Sequence, residues 1–375
     1  MQTATLNRRV RHVAKKTVVV ALAVGIGVAS VLATGCGSSS SAKAKKTYTI
    51  GFSDSYIGNS WRKTMVSAWE DVAAQAQRQG MISGYTVDVS AENTAASQIA
   101  DLDSLILKHV NAIDIDAADP SALNPTIQKA CAAGITVVVF DSLASAPCEY
   151  NLEDSFTAWG NYEADGVLSA INDTGNVIIV QGVVGSEPND IDMSVWKADV
   201  AKYPNVNIVA TVVGEQDATT AQQAIEAVLP SLPSVQGVII GEGSSGVVAA
   251  FQAQKRTVPV VDFDTTGTTL ALWESLGGAS YATSGSLTDP GQSSAAFWET
   301  LALLNGTKVD GKAIPKMLTF PLVIITDATF QAWYSVTPVT ATAAWLWTQA
   351  ETMAGIAANL NGQTAAAPPV PTSAI

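Results

Sequence analysis

The chain has 375 residues, 47% hydrophobic and 14% charged, which is enough length for two packed domains at roughly 100–200 residues each and too apolar for a disordered chain. The formal charge is −13, but residues 1–35 carry Arg8, Arg9, Arg11, Lys15 and Lys16 and no carboxylate, so the remainder holds 15 basic against 33 acidic residues, a charge of −18. Such a surface repels phosphate backbones, and nucleic acid is not expected as a partner.

The N-terminus reads as a basic region through Lys16, the apolar run TVVVALAVGIGVASVLAT, and then Gly35 and Cys36. The sequence LATGC resembles a bacterial lipobox, in which the cysteine is diacylated and becomes the new N-terminus. Residues 1–35 are therefore expected to be a lipoprotein signal peptide and 36–47 a flexible tether of Ser, Ala and Lys. An uncleaved anchor or an ordinary cleaved signal are the alternatives. Two acyl chains on Cys36 would hold the exported protein at the outer face of the cytoplasmic membrane, or in a periplasm. Export also makes Cys131 and Cys148 a candidate disulfide, with two buried thiols as the alternative.

From Tyr48 onward, β-branched runs alternate with helical periodicity. YTIGFS, YTVDVS, NAIDID and ITVVVFD predict strands, and MVSAWEDVAAQAQ places Val66, Trp69, Val72 and Ala73 on one helix face. The rhythm restarts with NVIIVQG, NVNIVATVV, VQGVII and VPVVDFD. The fold class is α/β, with two doubly wound parallel-sheet lobes. Lobe 1 is expected over 48–153 and 286–319, lobe 2 over 154–285 and 320–361 with a C-terminal helical segment around TAAWLWTQAETMAGIAANL, and a disordered tail over 362–375. Three crossings, near Leu152–Phe156, Ser284–Thr288 and Leu318–Leu322, would form the hinge.

Ligands of open parallel sheets sit beyond the carboxyl ends of the strands. The strand ends supply the candidate binding residues: Ser53, Tyr56, Asn59, Ser60, Trp61 and Arg62 in the first loop, Asn93, Asp116, Asp141 and Ser142 in the rest of the first lobe, and Asn189, Asp192, Glu242, Asp264 and Thr288 beyond it. Carboxylates accept pairs of hydrogen bonds from adjacent hydroxyls, and an aromatic such as Trp61 stacks on the C–H face of a sugar or polyol. Two enzymatic readings compete. His109, the one histidine after residue 35, has no nucleophile elbow to serve and no metal-ligand spacing around it, so hydrolytic and zinc chemistry are disfavoured and no metal is expected. GEGSSG at Gly241–Gly246 follows a strand and opens a helix, with Asp264 about 20 residues on, as a dinucleotide-binding fingerprint would. Glu242 beside the supposed pyrophosphate argues against it, and no cofactor is expected.

Taken in order, TIGFSDSYIGNSWRKTM, AAGITVVVFDS, VQGVVGSEPNDIDMSVWKADVAKYPNV, VPVVDFD and SLTDPGQSS resemble the type I periplasmic-type solute-binding proteins, above all the ribose- and galactose-type sugar binders that serve ABC transporters. The resemblance spans about residues 48–325. It implies a monomer, not an enzyme, that closes two lobes on a sugar, polyol or amino sugar and presents it to a permease. A sensor subunit for a receptor kinase is the variant of that reading, and an NAD(P)-dependent enzyme using GEGSSG the rival to it. The family's sugar contacts fall on Ser53, Asn59, Trp61 with Arg62, Asp141 with Ser142, Asp192, Asp264 and Thr288. Two arginines that the family uses are replaced here by Ser142 and Asp192, which leaves Arg62 as the expected cation of the site.

Overall fold

The computed structural model describes residues 47–374 except 91, 185, 186 and 282. The expected signal segment, Cys36 and most of the tether lie outside the described residues. The first lobe is built from β1 (Thr49–Asp54), α1 (Ser60–Arg78), β2 (Gly84–Val89), α2 (Ala95–Leu107), β3 (Ala112–Asp116), α3 (Asn124–Ala132), β4 (Thr136–Phe140) and β5 (Tyr150–Asp154). The second contains α4 (Phe156–Ala170), β6 (Gly175–Gln181), α5 (Glu187–Val200), β7 (Val206–Val213), α6 (Ala218–Val228), β8 (Gly237–Ile240), α7 (Ser244–Ala253), β9 (Val260–Val261), α8 (Gly267–Leu276) and β10 (Gly285–Leu287). The chain continues through α9 (Gln292–Leu304), β11 (Met317–Phe320), β12 (Val323–Ile325), α10 (Asp327–Val336) and α11 (Gln349–Leu360).

The first sheet has six parallel strands in the order β11-β5-β4-β3-β1-β2, and the second four in the order β7-β6-β8-β9. The inner strands β4, β6 and β8 are buried on both faces, which is why they read as continuous Val/Ile runs and not as alternating patterns. In the first lobe α1 and α9 cover one face, with Trp69 of α1 edge-on to Phe297 of α9, while α2 and α3 cover the other through Leu105, Ile127, Ile113 and Val139. Cys131 on α3 is bonded to Cys148 across a Cα separation of 6.4 Å, pinning the loop after β4 to the sheet's outer layer.

The run MLTFPLVIIT divides at Pro321. Met317–Phe320 joins β5 in parallel in the first sheet, and Val323–Ile325 pairs antiparallel with β10 on the second-lobe side. Proline lacks the N–H that would continue the ladder, so the change of lobe falls there. Residues 286 and 287 consequently sit with the second lobe, since β10 pairs with β12.

Two expectations for the C-terminus are corrected. TAAWLW does not begin a helix: α11 starts at Gln349, with Thr348 and Glu351 forming a capping box. Residues 337–348 instead run as an extended strap from α10 back to the first lobe, where α11 packs on α9 and β11 and not on the second lobe. The strap is a further crossing. On the second-lobe side Ala343 N–H donates to the Thr265 carbonyl (2.9 Å), and Gly267 N–H to that of Ala341 (2.8 Å). On the first-lobe side Thr342 N–H donates to Thr64 Oγ1 (3.1 Å), and Trp347 N–H to Ser294 Oγ (2.9 Å). Part of the tail after α11 is packed on the first lobe. Ala365 is buried and its N–H donates to the Thr319 carbonyl on the outer edge of β11, while Asn359 offers its side-chain amide to both backbone groups of Thr319. An open strand edge is thus covered by groups that cannot propagate a ladder.

Candidate functional site

A cavity of ≈ 360 Å³ opens between the lobes at the carboxyl ends of both sheets, within the roughly 300–1,000 Å³ range of small-ligand sites. From the first lobe it is lined by Tyr56, Asn59, Trp61, Arg62, Asn93, Asp141 and Ser142, and from the second by Phe156, Trp159, Gln216, Asp217 and Glu242, with Thr288 at the crossing.

Each lining residue is held by local structure. Asn59 is the N-cap of α1: its Oδ1 accepts from Arg62 N–H at 2.8 Å, which fixes the turn that carries Trp61 and Arg62. Trp61 is buried, although polar residues surround it in the sequence. It is 5% exposed, and its Nε1–H donates to the Thr288 carbonyl at 2.9 Å, so it ties the first loop to the crossing while showing part of its ring to the cavity. Asp141 has a φ of 58°, in the left-handed region, and its Oδ1 accepts from Gln292 Nε2 at 3.0 Å. Asn93, with a φ of 35°, accepts from Ser55 Oγ at 2.8 Å.

Arg62 is the cation of the site, but its charge is committed. Its guanidinium lies 2.6 Å from Asp54 and also pairs with Asp116, and both partners have fully buried side chains. Burial works against the guanidinium's charge, and Asp116 and Asp54 outweigh it, holding the pKa above the ordinary value. Burial dominates for the carboxyls: Asp54, Asp116 and Asp141 are all raised despite the opposing pull of Arg62. Across the cleft, burial with the added charge of Asp264 pushes Glu242 up to about 8.

Several predicted residues stand behind the cavity. Ser53 is buried under Gln98, whose Nε2 lies 3.4 Å from its Oγ, and Ser60 Oγ is 3.1 Å from Thr342 Oγ1 of the strap. Asp116 acts through Arg62. Asn189 and Asp192 are buried on α5, with Asp192 pushed up to about 8 by burial. Asp264 is occupied by the fold: Oδ2 accepts from the backbone N–H groups of Gly243 (3.0 Å) and Ser244 (3.1 Å), and Oδ1 from the hydroxyls of Thr266 and Thr269.

That arrangement removes the dinucleotide reading. The N-terminus of α7, where a pyrophosphate would sit, is already capped by the Asp264 carboxylate. The glycines have other reasons. Gly243 has a φ of 96°, a Cβ on Gly246 would come 1.9 Å from the Ala218 carbonyl of α6, and one on Gly241 would come 3.1 Å from the Trp159 ring. His109 stands exposed just past α2 with a φ of 54°, a helix-end position.

Sequence reasoning missed Asp54, Phe156, Trp159, Gln216, Asp217 and Gln292. The segment GEQD follows NVNIVATVV and obeyed the same strand-end rule as the sites chosen; Glu215 and Gln216 there have φ values of 55° and 53°, left-handed backbone at the cavity wall. Phe156 and Trp159 sit three apart at the start of the helix that follows the first crossing, a spacing that puts both on one side.

The family model described as "Periplasmic binding protein domain" matches residues 50–308. The chain belongs to this family. The periplasmic binding protein domain is one of binding proteins, not of enzymes. A solved solute-binding protein of an ABC transporter from Thermobispora bispora is 40% identical, with a TM-score of 0.79, and the match covers 87% of this chain and all 100% of that one. The ribose import binding protein of Bacillus subtilis is 25% identical over 227 residues, 58% of this chain and 70% of that protein. A xylitol-binding protein of Mycolicibacterium smegmatis is 26% identical over 182 residues, 47% of this chain and 52% of its own length. Among the described residues, no helix of this periplasmic binding protein is long and apolar enough to cross a membrane.

Proposed function

We propose that this periplasmic binding protein captures a hydroxyl-rich small solute, a sugar or polyol, between its lobes and delivers it to the permease of an ABC transporter. The observation that carries the reading is the cavity itself. It has carboxylates on both walls, Asp141 and Glu242, and aromatic faces from both lobes, Trp61 and Trp159. The relatives that bind ribose and xylitol support it. Only the closed arrangement lets one solute touch both walls, so binding favours closure by the differential contacts it makes. Hinge rotation at Asp154–Ser155, Thr288–Asp289 and Pro321–Leu322, with the strap as a further restraint, supplies the motion. Export, acylation at Cys36, residence at the outer face of the cytoplasmic membrane and a monomeric state belong to the same proposal.

A thermal-shift panel of aldoses, polyols and NAD on the purified protein tests the reading. A bound solute at a hundredfold excess over its Kd stabilises by about 2.7 kcal/mol and raises Tm accordingly. A response to NAD with silence toward every aldose and polyol would sink the proposal. Acylation is checked by the mass of the N-terminal peptide and its loss in Cys36→Ser.

A further inference from the structure

The cavity's carboxylates outnumber its cations. Asp141 stands on the first-lobe wall and Glu242 on the second, with Asp217 nearby. Arg62 is the only lysine or arginine among the described lining residues, and it already answers to Asp54 and Asp116. One positive charge therefore meets two buried negative ones before Asp141 and Glu242 are considered. The two cavity carboxyls also sense each other across the cleft, since the charge of Asp141 contributes to the raised pKa of Glu242.

A second observation is independent of charge. Trp159, which lines the cavity, is 2% exposed, and its Nε1–H has no hydrogen-bond partner among the described residues. A buried donor left unmade costs about 1–3 kcal/mol, so an occupant that offers it an oxygen is favoured.

Building on the capture reading above, we infer that the natural solute is a hydroxyl-rich molecule carrying a protonated amine, an amino sugar or amino polyol. Its ammonium is held between Asp141 and Glu242, and one of its oxygens accepts from Trp159 Nε1–H. Closing the cleft on a neutral polyol takes both carboxyls out of water with no counter-charge beyond Arg62, which is already paired with Asp54 and Asp116, and they must then hold protons to be tolerated. An ammonium supplies the missing charge and three donors at one point, and the aromatic faces of Trp61, Phe156 and Trp159 favour a cation further.

Isothermal titration calorimetry of the full chain with matched pairs tests this directly: D-glucosamine against D-glucose, and 1-amino-1-deoxy-D-glucitol against D-glucitol. The amine is expected to bind at least tenfold tighter in one pair or both. Its binding should release protons, read as a heat that changes with the ionisation enthalpy of the buffer. In Glu242→Gln or Asp141→Asn the amine-to-neutral ratio should fall. Because the matched pairs are compared on the unaltered protein, a variant that fails to fold leaves the test intact. Equal or tighter binding of the neutral member in both pairs overturns the amine assignment and leaves solute capture standing, as does binding confined to uncharged members of the wider panel. Silence toward all four ligands and the whole aldose and polyol panel removes both.

Discussion

Arg62 shows how a single side chain can look like a ligand contact in sequence and turn out to be first a structural one. Its position after Asn59 and Trp61 places it at the cavity, yet its guanidinium holds together the ends of β1 and β3 through Asp54 and Asp116. Removing one partner of a buried ion pair leaves the others uncompensated. Arg62→Ala is therefore expected to lower stability by about 3 kcal/mol or more in urea unfolding, before any effect on binding. Adding Asp54→Asn and Asp116→Asn to Arg62→Met should recover part of that loss, and an Arg62→Ala protein as stable as the wild type would refute the structural role. Trp61 makes the same point: its Nε1–H serves the Thr288 carbonyl, so truncation there would disturb the crossing as well as the cavity wall.

At the scale of elements, two devices stabilise the frame on which the site is set. The first is the Cys131–Cys148 bond, which closes a loop of 17 residues and ties α3 to the segment after β4 that follows Asp141 and Ser142. By the chain-entropy account such a loop contributes about 3 kcal/mol. Cys131→Ser with Cys148→Ser should lower Tm by several degrees, and an unchanged melting curve under reducing and oxidising conditions would count against it. The second is the strap. Asp289, at a crossing, accepts from the backbone N–H of Trp345 (3.1 Å) and the Nε1–H of Trp347 (2.8 Å), and Trp347's carbonyl accepts from Trp298 (2.9 Å). The hinge is thus bound into the C-terminal segment, and opening of the lobes has to be accommodated by residues far along the chain.

For the whole molecule, the buried carboxyls set the response to pH. Burial pushes Asp114, Asp262 and Asp289 from an ordinary 3.8 up to about 7. Between those values the native protein holds more protons than the unfolded chain, so stability falls as pH rises through this window. The urea midpoint should accordingly be higher at pH 5 than at pH 8. Asp114→Asn, which keeps one oxygen to accept from Trp69 Nε1–H and turns an amide NH2 toward Thr300 Oγ1, should flatten the slope. A midpoint that does not fall from pH 5 to pH 8 would show that these groups ionise as readily in the native state as in the unfolded chain.

Much of this was legible in the sequence because it is local. The βαβ rhythm, the two lobes and most of the cavity's first-lobe wall follow from strand periodicity and from the rule that ligands gather at strand ends. The Thr348–Glu351 capping box marked the true start of α11, although the aromatic run before it read as helix. Local pattern could not say which carboxylate faces the cavity and which faces the fold: Asp141 and Asp264 end similar strands, but one lines the cleft and the other caps α7. Nor could it show that Trp347 and Asn359 return to the first lobe, or that Arg62 is shared between two buried acids. Those outcomes depend mostly on contacts between residues tens to hundreds of positions apart, and only the packed structure decides how a buried charge is compensated.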